Sequence, residues 1–188
     1  MTNMEKLTDL QAFDTYDEKA NINIYVTNLS LYNQGLLYGC WVSLPKNSDE
    51  LEEVTNAVSR GGEDEIFITD YESSFFKIDE YDDIKKLNEK AEQLDECDDL
   101  DAVAAALDFT DDIDEAEEMA EDCIQIDRPA FSWSSDEYII GEFFIEELGA
   151  LELPEELAPY FDYEAYGRDI SYDYHTTKKD GILYLFNL

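Results

Sequence analysis

The segment Glu142–Ile170 reads EFFIEELGALELPEELAPYFDYEAYGRDI and combines nine acidic residues with six phenylalanine and tyrosine side chains. Its one basic residue is Arg168. A solvated acidic surface is poor in large apolar groups, because nothing on it needs packing. The acids of this segment are therefore expected on a folded scaffold, where carboxylates held at fixed positions imitate another polyanion.

The charge of the whole chain is extreme and unevenly distributed. The 188 residues include 48 acids and 12 bases, for a formal net charge of −36. Residues 1–90 carry a net −11, residues 91–167 carry −25, and residues 168–188 are neutral. A general adaptation to high salt spreads acids over the whole surface, so this concentration indicates a specific use. The charge exceeds what solubility requires and costs stability through self-repulsion.

The amount of charge matches that of a short DNA duplex. Duplex DNA carries one negative charge per ~1.7 Å of axis, so 36 charges correspond to roughly 61 Å, or about 18 base pairs. The charge density of the chain is therefore the one that an imitation of DNA requires. The sign of the charge excludes a protein that binds nucleic acid or an anionic membrane.

Local patterns predict an α+β fold. Alternation at Ile22, Ile24 and Val26 predicts a half-buried strand, followed by a turn at Asn33–Gly35. Residues 22–80 are thereby predicted to form a β-β-α-β unit, whose second strand ends before Pro45 and whose third strand spans residues 65–71. The helix between these strands has its capping box at Asp49 and Glu52, and one of its faces is formed by Leu51, Val54, Thr55 and Val58.

From residue 82 the apolar period becomes helical. Three short helices are predicted, with outer faces that are almost wholly acidic. Like charges four residues apart destabilise a helix, so helix stability does not explain the acids. The apolar stripes are Ile84, Leu87, Ala91 and Leu94; Leu100, Val103, Ala104 and Leu107; and Ile113, Ala116 and Ala120.

The last part of the chain mixes strands and helices. The pattern predicts a strand at 123–127, an interruption at Pro129 and a helix from Ser135 to Leu148 that Gly149 ends. A helical turn from Pro154 and a helix at 163–170 follow, and the chain closes with a hairpin whose turn contains Asp180-Gly181. The predicted organisation is a loosely docked extension at 1–21, an α+β domain at 22–81, an acidic helical domain at 82–122 and an α+β domain at 123–188.

Catalytic and metal-binding chemistry is poorly supported. The acids Asp108, Asp111, Asp112, Asp114 and Glu118 lie close together but lack the glycine and spacing of an EF-hand loop. His175 and Cys40 have no partner that would make a hydrolase, and among 48 acids a carboxylate pair of the glycosidase type arises by chance. No cofactor, metal or enzymatic activity is expected. Three dispersed cysteines, with no signal peptide or membrane-length apolar run, favour a cytoplasmic protein.

Three ordered blocks resemble the ArdA-type antirestriction proteins. They are LYNQGLLYGCWVSLP at 31–45, FITDYES at 67–73 and LGALELPEELAPYFDYEAYGRDI at 148–170, the last similar to the antirestriction motif of that family. The resemblance extends from about Ile22 to the C-terminus, and the extension before it departs from the compact members of the family.

The resemblance implies a fold and a function. The fold is three small α+β domains in line, elongated and paired into a curved homodimer. The function is a non-enzymatic DNA mimic that occupies the DNA groove of type I restriction-modification enzymes, formed by their methyltransferase core and specificity subunit. Such proteins protect incoming mobile DNA. The alternative is an acidic inhibitor or chaperone of other basic DNA-binding proteins, with the same charge but not the same shape.

The block at 148–170 is called the motif-like block below. The candidate partner-binding residues are acids from residues 91–122, a region without lysine or arginine, and from the end of the motif-like block. They are Glu92, Asp95, Asp98, Asp99, Asp101, Asp111, Asp112, Asp114, Glu115, Glu118, Glu121, Asp122, Asp162, Glu164 and Asp169. A dimer interface is expected in the C-terminal third, because a small domain there leaves large apolar side chains at its surface. Its expected residues are Leu151, Leu153, Tyr160 and Phe161.

Overall fold

The computed structural model describes residues 10–128 and 133–188 and has the predicted mixed α+β class. Two compact units divide the chain, Met1–Cys97 and Asp98–Leu188. The predicted helical domain at 82–122 is shared between them, and a three-domain organisation stays a prediction. Pro129, expected to interrupt the chain after the fourth strand, lies outside the described residues.

The first unit is built on a three-stranded antiparallel sheet of order β2-β1-β3, which confirms the β-β-α-β prediction. A turn at residues 33–35 precedes β2 and is closed by Gly35 at φ 78°. The elements are β1 (Ile22–Asn28), α1 (Leu29–Tyr32), β2 (Gly39–Leu44), α2 (Ser48–Val58), β3 (Ile66–Ser73) and α3 (Ile84–Glu96).

β1 is buried on both faces, whereas its alternating pattern predicted a half-buried strand. Its polar residues Asn23, Thr27 and Asn28 are at most 2% exposed. They are tolerated because each is hydrogen-bonded. Thr27 pairs with Thr69 at 2.7 Å between hydroxyl oxygens, and the Asn28 amide donates to the Val58 carbonyl at 2.9 Å.

Two helices cover one face of this sheet. In α2 the buried residues are Leu51, Val54 and Val58, as the helical period predicts. The cap of α2 differs from the prediction, because Asn47 and Glu50 form the capping box in place of Asp49 and Glu52. The two polar pairs have the same spacing, and sequence spacing cannot distinguish between them. In α3, the predicted stripe buries Leu87, Ala91 and Leu94.

Residues 10–21, expected as a loosely docked extension, contact the first unit at specific points, although most of their side chains are exposed. Leu10 is 3% exposed, and the Thr15 amide donates to the Trp41 carbonyl at 3.0 Å. The Tyr16 ring meets Trp41 edge-on, and its hydroxyl donates to Glu72 at 2.8 Å. This segment thereby follows the edge of β2. Residues 1–9 of the expected extension lie outside the described residues.

The second unit has a three-stranded antiparallel sheet of order β4-β6-β5. The predicted hairpin is present, with Asp180 and Gly181 at φ 50° and 85° in its turn. The elements are α4 (Leu100–Ala106), α5 (Ile113–Glu121), β4 (Ile124–Asp127), α6 (Asp136–Glu146), a 3-10 turn (Ala158–Tyr160), α7 (Tyr163–Ser171), β5 (Tyr174–Lys179) and β6 (Ile182–Asn187).

The central strand β6 carries the core of this unit. Leu183 and Leu185 pack with Ile139 and Ile140 of α6 and with Ile126 of β4. The alternate β6 side chains Tyr184 and Phe186 point to the opposite face, because side chains alternate along a strand, and α4 and α5 contact β6. The sheet therefore lies between two helical layers.

The end of α6 differs from the prediction. Ser135 caps the helix through the Tyr138 amide, as expected, but the helix ends at Glu146 and not at Leu148. Leu148 is 53% exposed, and Gly149 has φ 63°. The residues from Pro154 form a turn followed by the 3-10 turn. Within the described ranges, none of the helices has the length and hydropathy needed to cross a membrane.

Candidate partner-binding surface

All fifteen acids predicted to bind a partner are exposed. Glu92 and Asp95 lie on α3 of the first unit, and the other thirteen belong to the second unit. Those of the second unit group at the starts of α4 and α5, along the exposed side of α5, and on α7. The ion pairs Arg60–Asp64 and Arg128–Asp136 lie outside the set.

Three of these acids also cap helices. Asp99 accepts from the Ala102 amide at 3.0 Å, Asp112 from the Asp114 amide at 3.0 Å, and Asp162 from the Ala165 amide at 2.9 Å. An aspartate at this position satisfies an otherwise unpaired amide and complements the helix dipole. The expectation that helix stability does not explain the acids is therefore wrong for these three.

Four acids of the set, the cap Asp99 among them, are held by neighbouring side chains. Asn21 donates to Asp95 at 2.8 Å, Asn88 to Glu92 at 2.9 Å and Gln125 to Asp99 at 2.7 Å, while Thr110 donates to Glu115. Each bond restricts a carboxylate that is otherwise free to rotate. Part of the acidic surface is thus ordered before any partner arrives.

The helix of the motif-like block packs on α6 with backbone-to-backbone contact. Gly141 of α6 and Gly167 of α7 are both buried. A Cβ at Gly141 would collide with the Tyr163 carbonyl, and a Cβ at Gly167 with the Glu137 carbonyl. The two glycines therefore set the distance between the helices, and a side chain at either position would force the backbones apart.

The close approach brings Tyr163 of α7 to a glutamate of α6, while Tyr138 pairs with a glutamate of its own helix. The Tyr163 hydroxyl donates to Glu146 at 2.7 Å, and the Tyr138 hydroxyl to Glu142 at 3.4 Å. The bond to Glu146 raises the pKa of Tyr163 to about 12. Burial, followed by the charge of Glu142, raises the pKa of Tyr138. Sequence reasoning noted both glutamates but did not assign them to a site.

A groove lies between β4 and α6. It has a volume of about 430 Å³ and is lined by Ile126, Asp127, Ser134, Ile139, Glu142, Phe143, Glu146 and Glu147. The α6 members recur at intervals of three and four, so they share one helix face. That spacing was a usable signal in the sequence, but the position of β4 beside it was not.

Two of the four residues expected at a dimer interface are exposed. Leu151 is 44% exposed and Tyr160 is 85% exposed, whereas Leu153 and Phe161 are half-buried. Phe161 contacts the rings of Tyr163 and Tyr166 edge-on, at 5.1 and 5.7 Å between centroids. The segment also exposes Leu148 and Leu157, by 53% and 57%, which the prediction omitted.

The residues weighed for other chemistry have ordinary structural environments. Cys40 is buried in β2, and burial raises the pKa of its thiol to about 12. His175 is exposed on β5 and stacks on Phe109 at 4.9 Å between ring centroids. Asp108, weighed as a calcium ligand, accepts from the Thr177 hydroxyl at 2.6 Å. Across residues 10–128 and 133–188, histidines, cysteines and acids form no group of three or more placed to hold a metal.

The chain was compared with known protein families. Residues 24–183 match the family model described as antirestriction protein (ArdA). The match covers both units, including the capped acidic helices and the α6–α7 pair. No curated protein matches the chain.

Proposed function

The chain belongs to the ArdA antirestriction family, and from this premise we propose that it acts as a DNA mimic. In this proposal it occupies the DNA-binding groove of type I restriction-modification enzymes, formed by their methyltransferase core and specificity subunit. It acts by binding and not by catalysis, and it protects incoming mobile DNA.

The observation that carries the proposal is the exposure of the acidic set on short, capped helices. Residues 91–167 have a net charge of −25, with Arg128 as their one base. Carboxylates on folded helices form charge-assisted hydrogen bonds with lysines and arginines of a DNA groove and release its bound ions. Because the acids lie on folded helices, and caps or side-chain hydrogen bonds hold some of them in advance, binding costs less entropy than it would for a disordered acidic chain.

A homodimer is part of the same proposal. We place its interface around Leu151, Leu153, Tyr160 and Phe161, where apolar side chains remain at the surface of the most acidic half of the chain. Burying this patch against a second copy gives the isologous contact that is commonest among oligomers. Two copies carry a net charge of −72, equivalent to about 122 Å of duplex at the ~1.7 Å spacing.

Competition with DNA tests the proposal. A purified type I enzyme bound to a fluorescent duplex that contains its recognition site is titrated with the protein. We expect full displacement of the duplex, and inhibition that excess duplex reverses. Polyglutamate of equal total charge is the control, because it has the charge without the fold. Inhibition that excess duplex fails to reverse would contradict a DNA mimic, and displacement by polyglutamate at equal potency would show that the fold is dispensable.

A parallel titration separates the alternative partner class. The same protein is mixed with a basic histone-like DNA-binding protein on nonspecific duplex. The mimic proposal expects much weaker displacement there, because that partner lacks a groove shaped for the inhibitor. Equal potency on both partners would favour a general acidic inhibitor or chaperone.

A further inference from the structure

The groove between β4 and α6 has an apolar floor and an acidic rim. We infer that it binds an arginine side chain presented by the partner protein. This inference rests on the proposed function and adds to it a localised site beside the distributed acidic surface. The volume of about 430 Å³ is within the ~300–1,000 Å³ range of ligand pockets.

The floor suits the stem of a long basic side chain. Ile126 and Ile139 are 5% and 8% exposed and belong to the core of the second unit, and Phe143 is half-buried beside them. Arginine packs its methylene groups along apolar surface while its guanidinium reaches a polar rim. The face of an aromatic ring such as Phe143 adds a cation–π contact.

The rim suits a guanidinium. Asp127, Glu142, Glu146 and Glu147 are exposed, and none of the described residues that line the groove is basic. The neighbouring Arg128 is already engaged, because its guanidinium lies 2.8 Å from Asp136 and donates to the Ser134 carbonyl at 3.1 Å. Arginine binds carboxylates through two parallel hydrogen bonds, which a lysine ammonium does not reproduce. Charge complementarity therefore requires a basic occupant, and the capacity for two parallel hydrogen bonds favours arginine over lysine.

The motif-like block orders this rim. The Tyr163 hydroxyl of α7 donates a hydrogen bond to Glu146 at 2.7 Å, and this bond holds the Glu146 carboxylate at the groove. Tyr163 reaches it because the Gly141–Gly167 contact brings α7 against α6. Tyr163 is thus a positioning residue, and it links the motif-like block to a binding site outside that block.

A pair of charge-neutralising variants tests the groove. Glu142→Gln with Glu146→Gln removes two rim charges and keeps the side-chain size. The matched control is Glu52→Gln with Glu53→Gln, two exposed acids of α2 that belong to neither candidate set and lie outside residues 148–170. The readout is the concentration that displaces duplex from the purified type I enzyme, with circular dichroism confirming the fold.

We expect the groove pair to weaken displacement by roughly tenfold or more, because an anchoring charge pair in a partly desolvated pocket is worth over ~1.4 kcal/mol. The control pair changes it by less than about twofold, since exposed charges contribute little singly. Equal losses for the two pairs would overturn the inference and leave the proposed function intact. If the unmodified protein failed to displace duplex, the proposed function itself would fall.

A second experiment tests the groove without the restriction enzyme. Isotope-labelled protein is titrated with a blocked Gly-Arg-Gly peptide and with its Gly-Lys-Gly counterpart, and amide shifts are followed by NMR. We expect saturable shifts at Ile126, Ile139 and Phe143, stronger for the arginine peptide. Tyr163→Phe should reduce this preference for arginine without changing thermal stability. Shifts spread evenly over the acids of α4 and α5 would contradict a localised site.

Discussion

Gly141 and Gly167 have a packing role that helix propensity alone would not reveal. Glycine costs a helix interior about 1 kcal/mol relative to alanine, so both positions disfavour their helices locally. The cost is offset because each glycine lets the other helix approach within contact of its backbone. The Tyr163–Glu146 bond depends on that approach.

Gly141→Ala should therefore destabilise the protein, against the direction of helix propensity. The added methyl meets a backbone carbonyl, which cannot rotate away, so α7 must shift. Overpacking of this kind costs about 1–3 kcal/mol. Urea denaturation should show that loss, while Asp169→Ala, at an exposed position of α7, leaves the free energy of unfolding nearly unchanged. A more stable Gly141→Ala variant would show that the helices are not in close contact.

At the scale of the element, the short acidic helices depend on their first residues. α4 has 7 residues, and α5 and α7 have 9 each, lengths that are marginal for an isolated helix in water. Each begins at an aspartate whose carboxylate accepts a backbone amide. The same carboxylates are exposed, so one residue both orders the helix and contributes negative surface charge.

Asp112→Ala should destabilise the second unit by about 1 kcal/mol, the usual cost of losing an N-cap. Its neighbour Asp111 is exposed and makes the matched control, because Asp111→Ala removes the same charge without the cap. Chemical denaturation of the two variants side by side measures the difference. Equal stability of the two variants would mean that the cap contributes nothing.

For the whole molecule, the charge distribution predicts a steep response to salt. Much of the binding free energy proposed here comes from ion release and screened attraction, both of which weaken as salt rises. Affinity for a purified type I enzyme should fall linearly on a plot of log affinity against log salt. The enzyme's affinity for its own duplex, measured in the same series, is the reference. An affinity that is constant over this range would contradict an electrostatic mimic.

The proposed dimer is tested by sedimentation equilibrium at moderate salt. Leu151→Glu should shift the protein toward monomer, because it places a charge in the exposed apolar patch of the second unit. Leu37→Glu is the matched control, since Leu37 is 61% exposed in the first unit, far from the proposed interface in sequence. A wild-type protein that stays monomeric at micromolar concentration, or a Leu151→Glu variant that stays dimeric, would contradict the placement.

Much of the fold is encoded in patterns that span only a few residues. The stripe Leu87, Ala91 and Leu94 predicts α3, Ser135 predicts the start of α6, and Asp180-Gly181 predicts the final hairpin turn, all confirmed. Capping, turn conformation and amphipathic period depend on near neighbours in the chain. The exposure of the fifteen acids was likewise predictable, because unpaired charges stay in water.

Other features depend on residues far apart in the sequence. Sequence period predicted one buried face for β1, but Asn23 and Thr27 of the opposite face are also buried, since Asp17 of segment 10–21 bonds to Asn23 and Thr69 of β3 bonds to Thr27. At the start of α2, Asn47 and Glu50 form the capping box, although Asp49 and Glu52 have the same spacing in the sequence.

The sequence by itself determined the α+β class, most of the strands and helices, the exposed acids and the family to which the chain belongs. Only the tertiary structure decided that α7 lies against α6 through Gly141 and Gly167, and that β4 forms a groove with α6. The reason is physical. Secondary structure follows from local bonding and period, whereas a groove or a helix contact exists only after distant segments bury their apolar faces together.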